Sequence, residues 1–213
     1  MHNWKLAFKS DSFRKKFIIS FLILFVLLYF FALFLSYVEN RKGHVFYDPF
    51  LNFIKPYDVS DFIFYITYIT SFIGLIYAFT NPFKTLQLCQ MYTLLTLFRI
   101  TTLFLLPLDP PQTMIPLRDS ILESTFYNGD VYVKDLFFSG HTATLFLLFF
   151  FAWDRTLKWL FFISAVLVAI AVVVQHVHYS YDVIVAPFFA YISYRIILKN
   201  TKFYMSETKI TVG

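Results

Sequence analysis

A chain of 213 residues that is 59% hydrophobic, with 30 Phe, 15 Tyr and a mean hydropathy of +0.65, is too apolar for a soluble domain. The net charge of +5 and pI ≈ 9.2 come from basic residues spread between apolar runs, which argues for membrane topology and against a nucleic-acid surface. The one cysteine, Cys89, falls inside an apolar run, so neither a disulfide nor a thiolate metal site can be built.

Residues 1–16 form a basic segment carrying Lys5, Lys9, Arg14, Lys15 and Lys16. Residues 17–38 then supply about 20 apolar positions with no small-residue cleavage pattern behind them, which predicts an uncleaved spanning helix rather than a signal peptide. Further apolar runs lie at 62–80, 86–108, 139–153, 159–175 and 178–198. Each approaches the ~20 residues that cross ~30 Å of hydrocarbon, the fourth being short. The expected fold is all-α: a polytopic membrane domain of six helices over 17–198, followed by a cytoplasmic tail at 199–213. No internal repeat is evident.

Loop charge sets the orientation. Twelve Lys and Arg lie on the side of the termini and five on the other, with Arg99 inside the third run. The positive-inside rule therefore puts both termini in the cytoplasm and the segments 39–60 and 109–138 outside. A bacterial inner membrane with a periplasm-facing site fits the compact form and basic start. Thirteen residues separate His141 from Asp154, roughly 20 Å of helix, so either the charges at one end are drawn inward or His141 lies below the surface. Arg99 sits roughly 12 Å before Pro107 on the same arithmetic. Both fit a polar pocket sunk into the outer leaflet.

Two polar clusters stand at the edges of apolar runs: Lys134-Asp135 with Ser139-Gly140-His141-Thr142, and His176-Val177-His178-Tyr179-Ser180-Tyr181-Asp182. A Ser-Gly-His-Thr turn opening a helix offers backbone N–H groups, a hydroxyl and an imidazole to an anion. His178 and Asp182, four apart, share a face on a helix, where the carboxylate can fix the imidazole's tautomer and make it a better nucleophile. An imidazole with an acid partner, and a second imidazole beside an anion nest, suit phosphoryl transfer. Each element also has a plainer reading: a helix cap with a surface His, and a structural ion pair.

The motifs Asp135-x-x-x-Ser139-Gly140-His141-Thr142 and His176-x-His178-Tyr179-Ser180-x-Asp182-Val183 resemble the two catalytic signatures of the sphingomyelin synthases, within the type 2 phosphatidic acid phosphatase superfamily. Phe98-Arg99-Ile100-Thr101-Thr102 before Leu105-Leu106-Pro107 is similar to a further stretch of that family, so the resemblance covers roughly 95–190. It implies a six-helix enzyme with its site on the non-cytoplasmic face. It implies His178 as nucleophile, Asp182 as its partner, His141 as acid–base and Asp135 as the residue holding His141. Neither a metal nor a cofactor enters this scheme. Arg99, Ser139, Gly140 and Tyr179 become the expected substrate contacts, together with His176, which an interfacial position would equally explain.

Departures are visible too. Six residues before His178 stands Val172, where lipid phosphate phosphatases carry an Arg, and no Lys-x6-Arg-Pro occurs. Arg99, helped by Lys134 or Arg118, has to supply the cation. The outer segment reads Val133-Lys134-Asp135 where the synthases have Cys-Gly-Asp. The outer acids Asp109, Asp119 and Glu123 read as a solvated face that could complete the acid set, and His44 as a loop residue. The leading function is headgroup transfer from a phospholipid donor to a lipid hydroxyl. The alternatives are a hydrolase with water as acceptor, and a small transporter or scaffold.

Overall fold

The structure, a computed structural model, describes residues 4–117 and 132–210. Among them the only extended pairing is an isolated bridge between His44 and Leu108, and everything regular is helical. The helices are α1 (Trp4–Lys9), α2 (Asp11–Glu39), α3 (Ser60–Phe79), α4 (Pro82–Leu105), α5 (Gly140–Phe151), α6 (Arg155–Val174) and α7 (Ser180–Ile210). Five of them are long and apolar enough to cross a membrane, and α5 is a shorter apolar helix. The protein is a polytopic membrane protein.

The expected helices form, with informative differences at their ends. The basic start carries a short helix: α1 breaks at Ser10, whose side chain caps α2 by accepting from Phe13 N–H. Trp4 ties α1 to the end of α3 by donating from Nε1 to the Phe79 carbonyl (2.9 Å). At the other end of the chain, the expected tail at 199–213 begins as a continuation of α7, which runs on to Ile210. Asn81 caps α4 through the Phe83 and Lys84 N–H groups, with Pro82 at the first helical position, where its missing N–H costs nothing.

Short α5 is the hub. It packs against α3, α4, α6 and α7, and its Ala143, Leu145, Leu147, Leu148 and Phe151 are buried in the main core. Lipid offers no hydrophobic drive between helices, so close approach through small residues has to hold them. Ala186, Ala190 and Ser193 present such a face on α7, and Ala165 and Ser164 do so on α6. A buried hydrogen bond from Thr70 Oγ1 to Ser164 Oγ (3.1 Å) clips α3 to α6. By contrast α2 packs chiefly on α4 and α1, leaving most of its surface to lipid.

Both polar clusters come to one end of this bundle. The loop from 40 to 59 covers that end, its 3-10 turn Leu51–Phe53 seating Leu51 in a cluster with Leu108, Leu136 and Tyr179. Gly43 permits the close crossing of the two outer loops, since a Cβ there would strike the Leu108 backbone. Arg41 donates to the Leu103 and Phe104 carbonyls, satisfying groups that the end of α4 leaves unpaired.

Candidate active site

Ser139 opens α5. Its side chain accepts from Thr142 N–H and donates to Thr142 Oγ1 (3.1 Å), so the Ser-Gly-His-Thr stretch is an N-capped helix start. His141 lies in the first turn with its ring against Phe64, centroids 5.9 Å apart. Phe64 is one turn into α3, so the imidazole sits about 6 Å below that helix end.

The second cluster folds differently from the helix face expected. His178 precedes α7, in the turn after α6, and Asp182 is the third residue of α7. The carboxylate reaches back: Oδ2 accepts from Tyr179 N–H (3.1 Å), in the manner of a capping box, and faces His178 Nδ1 at 3.5 Å. That is an ion-pair separation, longer than an ordinary hydrogen bond, and both residues are buried. With Nδ1 turned to the carboxylate, Nε2 is the nitrogen left for chemistry.

The two motifs touch. Ser139 N–H donates to the Asp182 carbonyl (3.3 Å), so the start of α5 is bonded to the first turn of α7. Arg99 joins them from α4, six residues before its end and about 9 Å down. Its guanidinium lies against Gly140, where a Cβ would overlap it, and forms an ion pair with Asp135. Gly140 is thus the close-approach residue of the site. The Phe31 ring, with its centroid 5.2 Å from Arg99 Cζ, supports the cation from α2.

Several expected site residues have partners that the sequence does not show. Asp135, expected to hold His141, forms an ion pair with Arg99 where the stretch before Ser139 passes α4. Lys134, expected to help Arg99, is committed elsewhere. Its Nζ pairs with Asp109 (2.9 Å) and donates to the Arg41 carbonyl (2.6 Å). Asp109 is therefore one half of an ion pair rather than a bare solvated acid. Arg118, Asp119 and Glu123 lie outside the described residues.

His176 and Tyr179, expected to meet substrate, tie the outer loops to the second His motif. His176 is buried, its Nε2 donates to the Ile54 carbonyl (3.0 Å), and Nδ1 accepts from the Thr113 hydroxyl (2.6 Å). The carbonyl can only accept, which fixes this tautomer for the neutral ring. Its φ of 58° is left-handed, the C′ position of a Schellman closure in which Val177 N–H bonds to Val172 O and His176 N–H to Val173 O. The Tyr179 hydroxyl donates to the Asp109 carbonyl (2.8 Å) and accepts from Phe46 N–H (3.2 Å). Burial raises the pKa of this phenol, and the charges of Asp182, Asp109 and Asp48 add to the rise against the Phe46 hydrogen bond.

Asp48 went unnoticed in the sequence. It is buried, and its Oδ2 accepts from Ser180 N–H (2.6 Å) at the first residue of α7 while Oδ1 accepts from Phe50 N–H (3.0 Å). A carboxylate there satisfies orphan N–H groups and meets the positive helix end. Asp48-Pro49 in an aromatic loop was the available hint: Asp in such a setting caps something. Among the described residues no three His, Cys, Asp or Glu gather as metal ligands.

The arrangement is two imidazoles beside adjoining helix starts with a cation pressed onto one of them. Residues 134–200 match the family model described as PAP2 superfamily C-terminal. This match supports the type 2 phosphatidic acid phosphatase superfamily, and with it a lipid phosphatase or phosphotransferase type of function. It takes in both His motifs, α5, α6 and α7 as far as residue 200, less than half of the chain. No curated protein matches the chain.

Proposed function

We propose that the protein is a lipid phosphotransferase of the sphingomyelin synthase-like kind, moving a phospholipid headgroup to a lipid hydroxyl through a phosphohistidine on His178. The observation that carries this reading is the Ser139 N–H to Asp182 carbonyl bond, which joins the two His motifs. In the first step His178 Nε2 attacks phosphorus and the bond to the diacylglycerol oxygen breaks, His141 giving that oxygen its proton. In the second, His141 takes the proton of the acceptor hydroxyl, whose oxygen attacks phosphorus and breaks the N–P bond. Asp182 keeps His178 in the tautomer with Nε2 unprotonated. Arg99 and the N–H groups opening α5 face the phosphate's negative charge, with Asp135 holding the guanidinium in place. Loop charge supports a site on the non-cytoplasmic face, as in a bacterial inner membrane facing the periplasm.

The test is a panel of labelled phospholipids in proteoliposomes, with and without ceramide or diacylglycerol. Label appearing on the added lipid supports transfer, and release to water would replace it with hydrolysis at the same residues. His178→Ala and His141→Ala are each expected to abolish turnover while the protein still folds. Full activity in either variant rejects the two-imidazole mechanism.

A further inference from the structure

The loop over the site has an unusual surface. Between residues 45 and 57 the only charged residues are Asp48 and Lys55. Phe46, Tyr47, Phe50, Phe53 and Tyr57 are all exposed, Phe53 the most at 87%. A loop meeting only water is seldom this aromatic, and a contiguous apolar patch marks something that covers it.

The loop's backbone is held so that these rings cannot turn inward. Asp48 is bonded to Ser180 N–H, and Phe46 N–H to the Tyr179 hydroxyl. The Ile54 carbonyl accepts from His176, Tyr57 N–H donates to the Val174 carbonyl (3.2 Å), and Leu51 plugs the core beneath. Nearly every tether ends on the second His motif or the helix end beside it. The loop also runs directly into α3, where the exposed Asp58 and Asp61 mark the helix start and Phe62 and Tyr65, exposed just beyond them, lie on the lipid-facing side of a membrane span. Aromatic side chains at the end of a span belong in the boundary between headgroups and acyl chains, where ring and hydroxyl are both accommodated.

We propose that residues 46–57 form an interfacial platform whose aromatic side chains lie in the headgroup–acyl boundary of the leaflet on the site's side, and that this contact passes bilayer lipid to the site. The second half rests on the function proposed above; the first half does not. The occupant is the lipid surface itself, because the loop leads within a few residues into a span whose exposed face lipid already covers.

The single cysteine makes the test clean. In a Cys89→Ala background, Tyr47→Cys and Phe53→Cys are labelled with a nitroxide and the protein is reconstituted in phosphatidylcholine vesicles. Both positions are exposed, so the labels are tolerated. Dissolved oxygen is expected to relax both labels more strongly than a water-soluble nickel chelate does. Relaxation by the chelate equal to that of a free nitroxide in water overturns the platform. In the second arm Phe50→Ser with Phe53→Ser is expected to cut turnover of bilayer phospholipid about 10-fold, and that of a monomeric short-chain analogue less than about 2-fold. Equal loss on both substrates, or none on either, overturns the passage of lipid. A parent protein that turns over neither substrate, with labels still in lipid, rejects the catalytic reading and leaves the platform standing.

Discussion

Gly140→Ala separates what holds the fold from what the site does. Gly140 is the first residue of α5, in a helical conformation that alanine adopts freely. The obstacle is not backbone but the Arg99 guanidinium: an added Cβ would come within 2.9 Å of Nη2 and closer to Nη1 and Cζ. Carbon contacts relax near 3.5 Å, so the guanidinium has to retreat by more than about 1 Å. It is the far end of a flexible side chain and can do so cheaply. Stability should therefore change by less than about 1 kcal/mol, with alanine's better helix propensity offsetting the lost ion pair with Asp135. Activity should not be spared. Misplacing a charge-stabilising group by about 1 Å costs on the order of 10²-fold, or about 2.7 kcal/mol of transition-state stabilisation.

The assay is a double-mutant cycle on phospholipid turnover, with thermal unfolding of each variant in the same detergent. Arg99→Ala, Gly140→Ala and the double variant are compared with the parent. Once Arg99 is gone, Gly140→Ala has nothing to displace, and its penalty should vanish. A penalty of the same size with and without Arg99 refutes the argument, as does full activity in Gly140→Ala. A large loss of melting temperature in Gly140→Ala alone would show that the helix start, not the cation, needs the glycine.

Four further outcomes follow from the same geometry. Arg99→Leu should weaken substrate handling more than Arg99→Lys, read as kcat/KM, since only lysine keeps a cation; equal losses would mean the forked guanidinium is what matters. His176→Gly should be less destabilising than His176→Ala by about 1 kcal/mol in denaturant titration, because both lose the Thr113 and Ile54 hydrogen bonds but only glycine sits freely at φ 58°. Asp48→Ala should cost about 2 kcal/mol by leaving the Ser180 and Phe50 N–H groups without their acceptor, with Asp48→Asn closer to the parent. Tyr179 has a folded pKa raised above its ordinary 10.0, so its stabilising share is fully present below pH 10 and is lost as pH rises through the higher folded value. Melting temperature measured from pH 8 to 11 should thus fall less steeply in Tyr179→Phe, and an identical alkaline slope would count against a titrating Tyr179.

Sequence was most legible where one residue's local chemistry decides the outcome. Apolar run length predicts the spans because lipid forces each backbone group to pair within its own helix, leaving composition little to arbitrate. Ser139 as a cap needs only its neighbours, and the structure has it bonded to Thr142. His178 and Asp182 were paired correctly but for the wrong geometric reason: the helix starts two residues after the His, and the carboxylate meets it by reaching back. What could not be read is which loop partner each polar group meets. The ion pair of Asp135 with Arg99 cannot be read from spacing, because it depends on where α4 passes. A chain position two residues from His178 says nothing about which way the His176 ring turns. Its left-handed φ turns it toward Thr113 and Ile54. Asp48 shows the same limit from the other side, since its partner Ser180 is 132 residues away. The loops are therefore not dressing on a helical enzyme. Asp48, Tyr179 and His176 bind them to the turn that carries His178, so the site's precision depends on contacts that no local pattern encodes.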